Sequence, residues 1–497
     1  MQGRGSRFFA LLAALALGLA HTASFAPSYA WWLQILALAG LARLSWAATP
    51  RRAAALGAAF GIAWLSSGLW WLHISMHQFG HIPWLLAALA VLLLAAFLAS
   101  YYAAALALAA CLSRGAGWAW RGLIWSACWA LAELARATLF GGFPWIASGY
   151  AHSSGPLAAW APWIGVYGIG ALAAAAAFAL AAASRRHWQP ALALSLLLGL
   201  AAIGLPQDFS RSTGAISVSL LQPNVPQDQK FDRSLIDANL DGLAQQIESA
   251  RGQLVLTPES VAPVPLAYLD GDYLQRLQAA AAERPLLLGT FLGDEERGYT
   301  NSLLSFGAHP RYDYGKRHLL PFGEFIPFGF RWFVKLMGIP MDDQQRGQHQ
   351  RAFEVAGQRL RPLICYEDLF GEDFVDSMVG EGAATVLANV SNLAWFGTLM
   401  VQDQHLQFSQ MRALEFQRPF VRATNTGATA ALNHRGEVIA RLPAAQRGVL
   451  EVRVEGRSGS TPYARWLKAW GLAPLWLLCT AILGLAAWRL KRRGPAS

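Results

Sequence analysis

The chain has 497 residues, 55% of them hydrophobic and only 14% charged, with a mean hydropathy of +0.31 and a net charge of +10. So low a charged fraction excludes an ordinary soluble protein, where about a quarter of residues are charged, and points to a membrane protein that carries a soluble part. The positive balance does not indicate a nucleic-acid partner, because most arginines outside the soluble part flank apolar segments. Of the cysteines Cys111, Cys128, Cys365 and Cys479, only Cys365 lies outside a long apolar stretch, which excludes a disulfide framework.

A membrane helix needs about 20 mostly apolar residues. Eight segments qualify in chain order: 8–25, 29–46, 53–75, 83–112, 119–138, 157–183, 188–205 and 466–489. The first has Arg4 and Arg7 ahead of an apolar core, as a signal peptide would, but the next apolar segment follows almost at once. It therefore reads as an uncleaved span. With eight spans, Arg4 and Arg7, Arg51 and Arg52, Arg114 and Arg121, Arg185 and Arg186 and the tail RLKRRG all fall on one side. Excess Lys and Arg mark that side as the cytoplasm, whereas the opposite loops, such as APSYA and HQFGHIP, carry almost none. Both termini are then cytoplasmic. The expected organisation is a seven-helix membrane domain over 1–209, an outer-face domain over 210–460, and a final membrane helix with a basic tail over 461–497.

Two polar groups interrupt the spans. His73, His77 and His81 recur every four residues, a spacing that can bind metal, but Gly80 lies where the span ends, so they read as interfacial histidines and no metal site is expected. Glu133 and Arg136 stand at i and i+3 in the fifth span. Charges there are costly unless paired, so they form an intrahelical pair or support the floor of a site.

The outer segment alternates short apolar runs with helical stretches. Strands are expected at 216–222, 253–259, 284–292, 302–307, 361–367, 384–391, 420–426 and 428–434, and helices at 233–250, 271–283 and 403–417. Such alternation indicates an α/β domain with helices packed outside sheets. Three strand ends carry reactive groups: Glu259 after LVLTP, Lys316 in YDYGKRHLL, and Cys365 after PLI. Singly, each has an ordinary explanation as a turn carboxylate, a loop cation and a core thiol. Together they form a set, because a thiol that attacks as thiolate needs a base and a positive neighbour, and a lysine also stabilises the oxyanion of an attacked carbonyl. Glu324 is placed to hold the lysine or relay a proton, and His318 and His405 remain as alternative bases. Only five of the 40 basic residues are lysines, Lys230, Lys316, Lys335, Lys468 and Lys491, so a lysine here hints at a position that wants one.

The stretches TPES, YGKRHLLPFGEFIP, LICYEDLFGE, NVSNLAWFG and RATNTG follow in this order. They resemble the nitrilase superfamily, the carbon–nitrogen hydrolases with a Glu–Lys–Cys triad. Carried between seven spans and one, such a domain resembles the apolipoprotein N-acyltransferase family along essentially the whole chain. The resemblance implies an αββα sandwich beside a polytopic helical membrane domain. It implies Glu259 as general base, Lys316 as oxyanion-stabilising lysine and Cys365 as nucleophile, with Glu324, Tyr366 and Glu367 in support. It also implies substrate contacts from Phe231, Phe325, Trp395 and Asn425. Two positions depart from the family pattern: Leu393 where Asp is frequent, and Phe231 where Trp is frequent.

The reaction implied is acyl transfer from a phospholipid, phosphatidylethanolamine foremost, through a Cys365 thioester to the N-terminal diacylglyceryl-cysteine of apolipoproteins. It needs no cofactor, and it places the enzyme in a Gram-negative inner membrane with the catalytic domain in the periplasm. The apolar stretch 325–340 after Glu324 is expected to face the bilayer and admit acyl chains, with Lys335 as a headgroup contact or snorkelling cation. The rivals are a membrane-anchored amidase that gives its thioester to water, and a non-enzymatic lipid-binding membrane protein. Eight spans and an apolar arm disfavour the first, and the complete triad disfavours the second.

Overall fold

A computed structural model describes residues 4–183, 188–329, 331–332 and 343–492. The chain forms two compact units, Met1–Gln207 with Ala469–Ser497, and Asp208–Lys468.

The first unit is helical: α1 (Arg4–Thr22), α2 (Trp31–Ser45), α3 (Pro50–Gly68), α4 (Trp84–Leu112), α5 (Trp118–Thr138), α6 (Ala161–Ala183), α7 (Trp188–Gly204) and the C-terminal helix Ala473–Arg492. All eight apolar segments are thus helical, but not all reach spanning length. Among the described residues, five helical segments are long and apolar enough to cross a membrane, and Pro50–Gly68 with Trp71–Phe79 makes a sixth if that pair, bent by 52°, is one span. The 15 residues of α2 and the 17 of α7 extend about 22 and 26 Å at 1.5 Å per residue, short of a hydrocarbon core of about 30 Å. Arg185, Arg186 and the tail beyond Arg492 lie outside the described residues.

The three histidines do not share a helical face. A π-helical turn runs over Ser75–Phe79, and His81 lies beyond it with φ +54°. Glu133 and Arg136 are buried and paired at 3.4 Å. Glu133 also accepts hydrogen bonds from the Tyr102 hydroxyl (2.5 Å) and from the Ser148 N–H and hydroxyl (3.0 Å each). Arg136 donates to the carbonyls of Phe143 and Trp145 at 3.0 and 2.8 Å. A buried ion pair needs further hydrogen bonds to persist, and those made here fasten residues 143–148 to α5.

The second unit contains two six-stranded sheets. The first orders its strands β12 (Gly448–Gly459), β1 (Ser210–Gln222), β2 (Leu254–Leu256), β3 (Leu286–Asp294), β4 (Gly298–Phe306) and β5 (Asp313–Gly315). The second runs β11 (Val438–Arg441), β10 (Ala430–Leu432), β9 (Phe420–Thr424), β8 (Val386–Ser391), β7 (Gln358–Ile364) and β6 (Phe353–Val355). Alternation along each strand makes the layers. Leu220, Leu254, Leu256 and Leu287 enter one apolar core with Ile364, Val386, Val390 and Val421 of the other sheet. Leu221, Val255, Leu286 and Leu288 point the other way, against Leu240, Leu243 and Ile247 of α8 (Ile236–Ser249) and Leu277 of α9 (Gly271–Ala280). Helix α10 (Val401–Phe416) packs on β9. The result is the αββα sandwich that the resemblance implies. In each sheet the three central strands, β1–β2–β3 and β7–β8–β9, are parallel, so several strand ends open on one edge, where α/β proteins gather reactive groups.

Strands β5, β6, β11 and β12 were not expected. The first two are three residues each, too short to carry a periodic signal. β12 is an edge strand paired along its length with β1; Leu450, Val452 and Val454 alternate with Glu451, Arg453 and Glu455, a strand signal that was overlooked.

Candidate active site

Glu259 stands three residues past β2, Lys316 directly past β5, and Cys365 directly past β7. Backbone contacts set the first of these. The Thr257 N–H donates to the Leu287 carbonyl at 3.1 Å and Ala262 N–H to Gly289 O at 3.1 Å, so the turn carrying Glu259 lies flat on β3. Gly289 permits this approach, because a Cβ there would sit 2.0 Å from the Pro258 carbonyl oxygen.

The carboxylates and the lysine meet. Lys316 Nζ lies 3.2 Å from Glu259 Oε1 and 2.7 Å from Glu324 Oε1, all three side chains being buried. Asn301 of β4 donates from Nδ2 to Glu259 at 2.8 Å and to Glu324 at 3.2 Å. The Asn392 N–H donates to Glu259 Oε2 at 2.9 Å, and Leu320 N–H to Glu324 Oε2 at 2.8 Å. Burial by itself would push the Glu259 carboxyl up, but Lys316, the donors from Asn392 and Asn301, and Lys230 together hold it below the ordinary carboxylate range. Burial likewise opposes the Lys316 ammonium, and Glu259, Glu324 and Cys365 outweigh it, so Lys316 stays protonated well above the usual lysine range. The thiol of Cys365, though partly exposed, is pushed well above its ordinary value by its apolar surroundings and then by Glu259, with Lys316 opposing. The resting site therefore holds a carboxylate, an ammonium and a neutral thiol.

Cys365 has φ +51°, a left-handed conformation that costs a non-glycine residue of order 1 kcal/mol or more. Two groups hold it: Asn389 Nδ2 donates to the Cys365 carbonyl at 2.9 Å, and His405 Nε2 lies 3.1 Å from the same oxygen. Buried Asp368 fixes His405 (3.3 Å), Arg422 (2.9 Å) and the Ser409 hydroxyl (2.7 Å) behind it. His405 is therefore a buttress of the backbone, and burial, with Arg422 beside it, lowers its basicity despite Asp368. His318 pairs with Asp373 at 2.6 Å and stacks on Phe370.

Glu367 ties the end of β7 beside Cys365 to the loop that carries Lys316. Its carboxylate accepts from the N–H groups of Ile364 (2.7 Å), Arg317 (2.7 Å) and His318 (3.2 Å), and from the Tyr314 hydroxyl (2.7 Å). Tyr366 is buried near the rings of His318 and Phe370. Of the expected substrate contacts, Phe231 is half exposed with its ring 6.4 Å from that of Trp395. Phe325 lies partly buried under the Arg346 guanidinium. Asn425 is spent within the protein, bonding both backbone groups of Val225 (2.8 and 3.0 Å) and Asn392 Oδ1 (3.0 Å). Leu393 is a core residue. In the apolar stretch 325–340, Phe328 is fully exposed and Trp332 largely so; Lys335 and the rest of 333–340 lie outside the described residues. Sequence reasoning missed Asn301, Asn392 and the buried Lys230, whose only signal was lysine in an arginine-rich chain.

Residues 17–179 match the family model of the apolipoprotein N-acyltransferase N-terminal domain, and residues 218–463 that of the carbon-nitrogen hydrolases. The apolipoprotein N-acyltransferase of Verminephrobacter eiseniae is 47% identical over 92% of each chain. That of Ralstonia nicotianae is 46% identical over 99% of this chain and 95% of the relative, and that of Nitrosomonas europaea 39% identical over 98% and 99%. With its membrane-length apolar helices and these bacterial relatives, the chain is a membrane protein. Sequence similarity at this level over nearly the whole length leads to one assignment: the chain belongs to the apolipoprotein N-acyltransferase family.

Proposed function

We propose that the chain transfers a fatty acyl group from a membrane phospholipid, through a thioester on Cys365, to the α-amine of the N-terminal diacylglyceryl-cysteine of an apolipoprotein. The observation that carries this reading is the buried Lys316 ammonium clamped between Glu259 and Glu324 within electrostatic reach of the Cys365 thiol. Because the thiol rests neutral, proton loss accompanies attack. Glu259 takes the proton as sulfur bonds to the ester carbonyl carbon, and the charge moves to the carbonyl oxygen, where Lys316 stabilises it. The ester C–O bond then breaks, Glu259 returns the proton to the departing alkoxide, and lysophospholipid leaves. In the second half the amine attacks the thioester and Glu259 takes a proton from nitrogen. The C–S bond breaks, the amide leaves, and the proton restores the thiol. One site serving two substrates in turn gives ping-pong kinetics. The acyl group arrives already activated as an ester, so no cofactor enters.

In this reading phosphatidylethanolamine is the donor. The unit Asp208–Lys468 works on the periplasmic side of a Gram-negative inner membrane and both termini are cytoplasmic, on the strength of the basic residues that flank the spans. Phe231 and Trp395 receive substrate, being an exposed and a partly buried aromatic ring beside the loops that hold Glu259. The test is intact-protein mass spectrometry after incubation with phosphatidylethanolamine. The expected result is a gain of one acyl chain, removable by hydroxylamine, absent in Cys365→Ala, and discharged to an amide by a diacylated lipopeptide with a free amine. Release of free fatty acid without an acceptor would replace the transferase by a hydrolase.

A further inference from the structure

The loop after β1 reaches Glu259 from two sides. Lys230, only 4% exposed, donates from Nζ to the Ser260 hydroxyl at 2.8 Å. Ser260 directly follows Glu259 and has φ +44°, so its side chain and backbone are held against a local preference. On the other side Asn392, whose N–H bonds Glu259, donates its Nδ2 to Gln227 Oε1 of the same loop at 2.8 Å. Asn425 and the Asn224 N–H, which donates to the Asn425 carbonyl at 2.9 Å, pin the loop's start. Its end presents Phe231, with Lys230 Nζ 5.8 Å from that ring.

We infer that Lys230 is a positioning residue for Glu259: from the loop after β1 it fixes Ser260 and sets a second positive charge against the carboxylate. This rests on Glu259 acting as the base. The charged and titratable groups facing Glu259 are Lys316 from the end of β5, Glu324 from the following loop, Cys365 from the end of β7 and Lys230. Lys230 itself faces Glu259, the Ser260 hydroxyl and the Phe231 ring. An ammonium with three N–H groups and one neutral hydrogen-bond acceptor is costly to bury. Burial brings its pKa down to about 8, with Glu259 restoring part of the loss, so near neutral pH the charge is still present. An apolar side chain would fill the same space without that cost, and what the lysine adds is its charge and its hold on the residue beside the base.

The experiment measures the rate of Cys365 thioester formation from pH 3.5 to 8 in the full-length protein, for the wild type and for Lys230→Met, Lys230→Gln and Lys230→Arg. Without the second cation Glu259 is a weaker acid. The acid limb of the profile should therefore move up by about half a unit to one unit in the Met and Gln variants and stay at its wild-type position in Arg. Should Met fail to fold, Gln keeps a donor for Ser260 while removing the charge and is read by the same criterion. An acid limb unmoved in both Met and Gln, or moved as far in Arg as in Met, overturns the inference. A uniform loss of rate at every pH is the mark of a merely structural residue and overturns it too. Glu259→Gln separates the two levels: if it acylates normally, the reading of Glu259 as base fails, whereas if it is dead and the Lys230 limb is unmoved, only the present inference fails.

Discussion

At the scale of single residues the site is a balance of burial against charge. The Cys365 thiol is pushed up by its apolar surroundings and by Glu259, so little thiolate exists before substrate arrives. Alkylation of Cys365 by iodoacetamide is therefore expected to be slow at pH 7 and to keep rising beyond pH 9 without a plateau, as mass-spectrometric labelling across pH would record. Lys230 has the opposite linkage from a paired lysine. It releases its proton near pH 8 in the folded chain and near 10.5 when unfolded, so between these values the unfolded state binds more protons and stability rises with pH. Below pH 8 the full cost of the buried charge is present, about 3 kcal/mol. Lys230→Met should raise the thermal midpoint at pH 7, with the gain shrinking as pH climbs from 8 to 10.5, even as the acid limb of acylation moves up. Glu259 and Cys365 were legible in the sequence because each follows an apolar run with a reactive side chain, and Lys316 because it stands in the stretch YGKRHLLPFGEF. Lys230, Asn301 and Asn392 were not, because their importance lies in what they touch across 23 to 165 residues of chain.

Among elements, close backbone approach and turn bracing decide the geometry. Gly289→Ala would drive a methyl group into the Pro258 carbonyl at 2.0 Å and toward the Ser260 N–H at 2.9 Å. Because β3 cannot yield within a buried sheet, the turn carrying Glu259 must shift. A loss of about tenfold to a hundredfold in acylation rate is expected, since a misplacement of about 1 Å costs that much, with the fold retained by circular dichroism. Glu367→Gln tests the brace between β7 and the Lys316 loop. A glutamine offers one acceptor oxygen where the carboxylate offered two, to three N–H groups and a hydroxyl. The expected cost is about 2–4 kcal/mol of stability, read as a lowered thermal midpoint, together with slower thioester formation. Strands with bulky apolar runs, such as β3 and β8, were legible from those runs. β12 was overlooked although Leu450, Val452 and Val454 alternate with Glu451, Arg453 and Glu455, as an edge strand with half its side chains in water should.

For the whole molecule, the count of spans bears on orientation. Eight segments are apolar by composition, and among the described residues five helices have clear spanning length, with the bent pair Pro50–Gly68 and Trp71–Phe79 as a sixth if it is one span; counting that pair or not changes the parity, so the proposed orientation needs its own test. An alkaline phosphatase reporter fused after residue 460 should be active and one fused after residue 497 inactive; the reverse pattern would invert the proposed orientation. The sequence by itself determined that this is a membrane protein carrying a carbon–nitrogen hydrolase domain and the order of most of its elements, since hydropathy, periodicity and side-chain chemistry are local properties. Only the tertiary structure decided that Glu259 shares one oxygen between Lys316 and Asn301, that Glu367 and His405 serve as braces, that Asn425 is spent on the protein, and that Lys230 is buried beside Ser260 and Glu259. Those facts are set by strand order and by which loops cross one sheet edge, and neither is encoded at any single position of the chain.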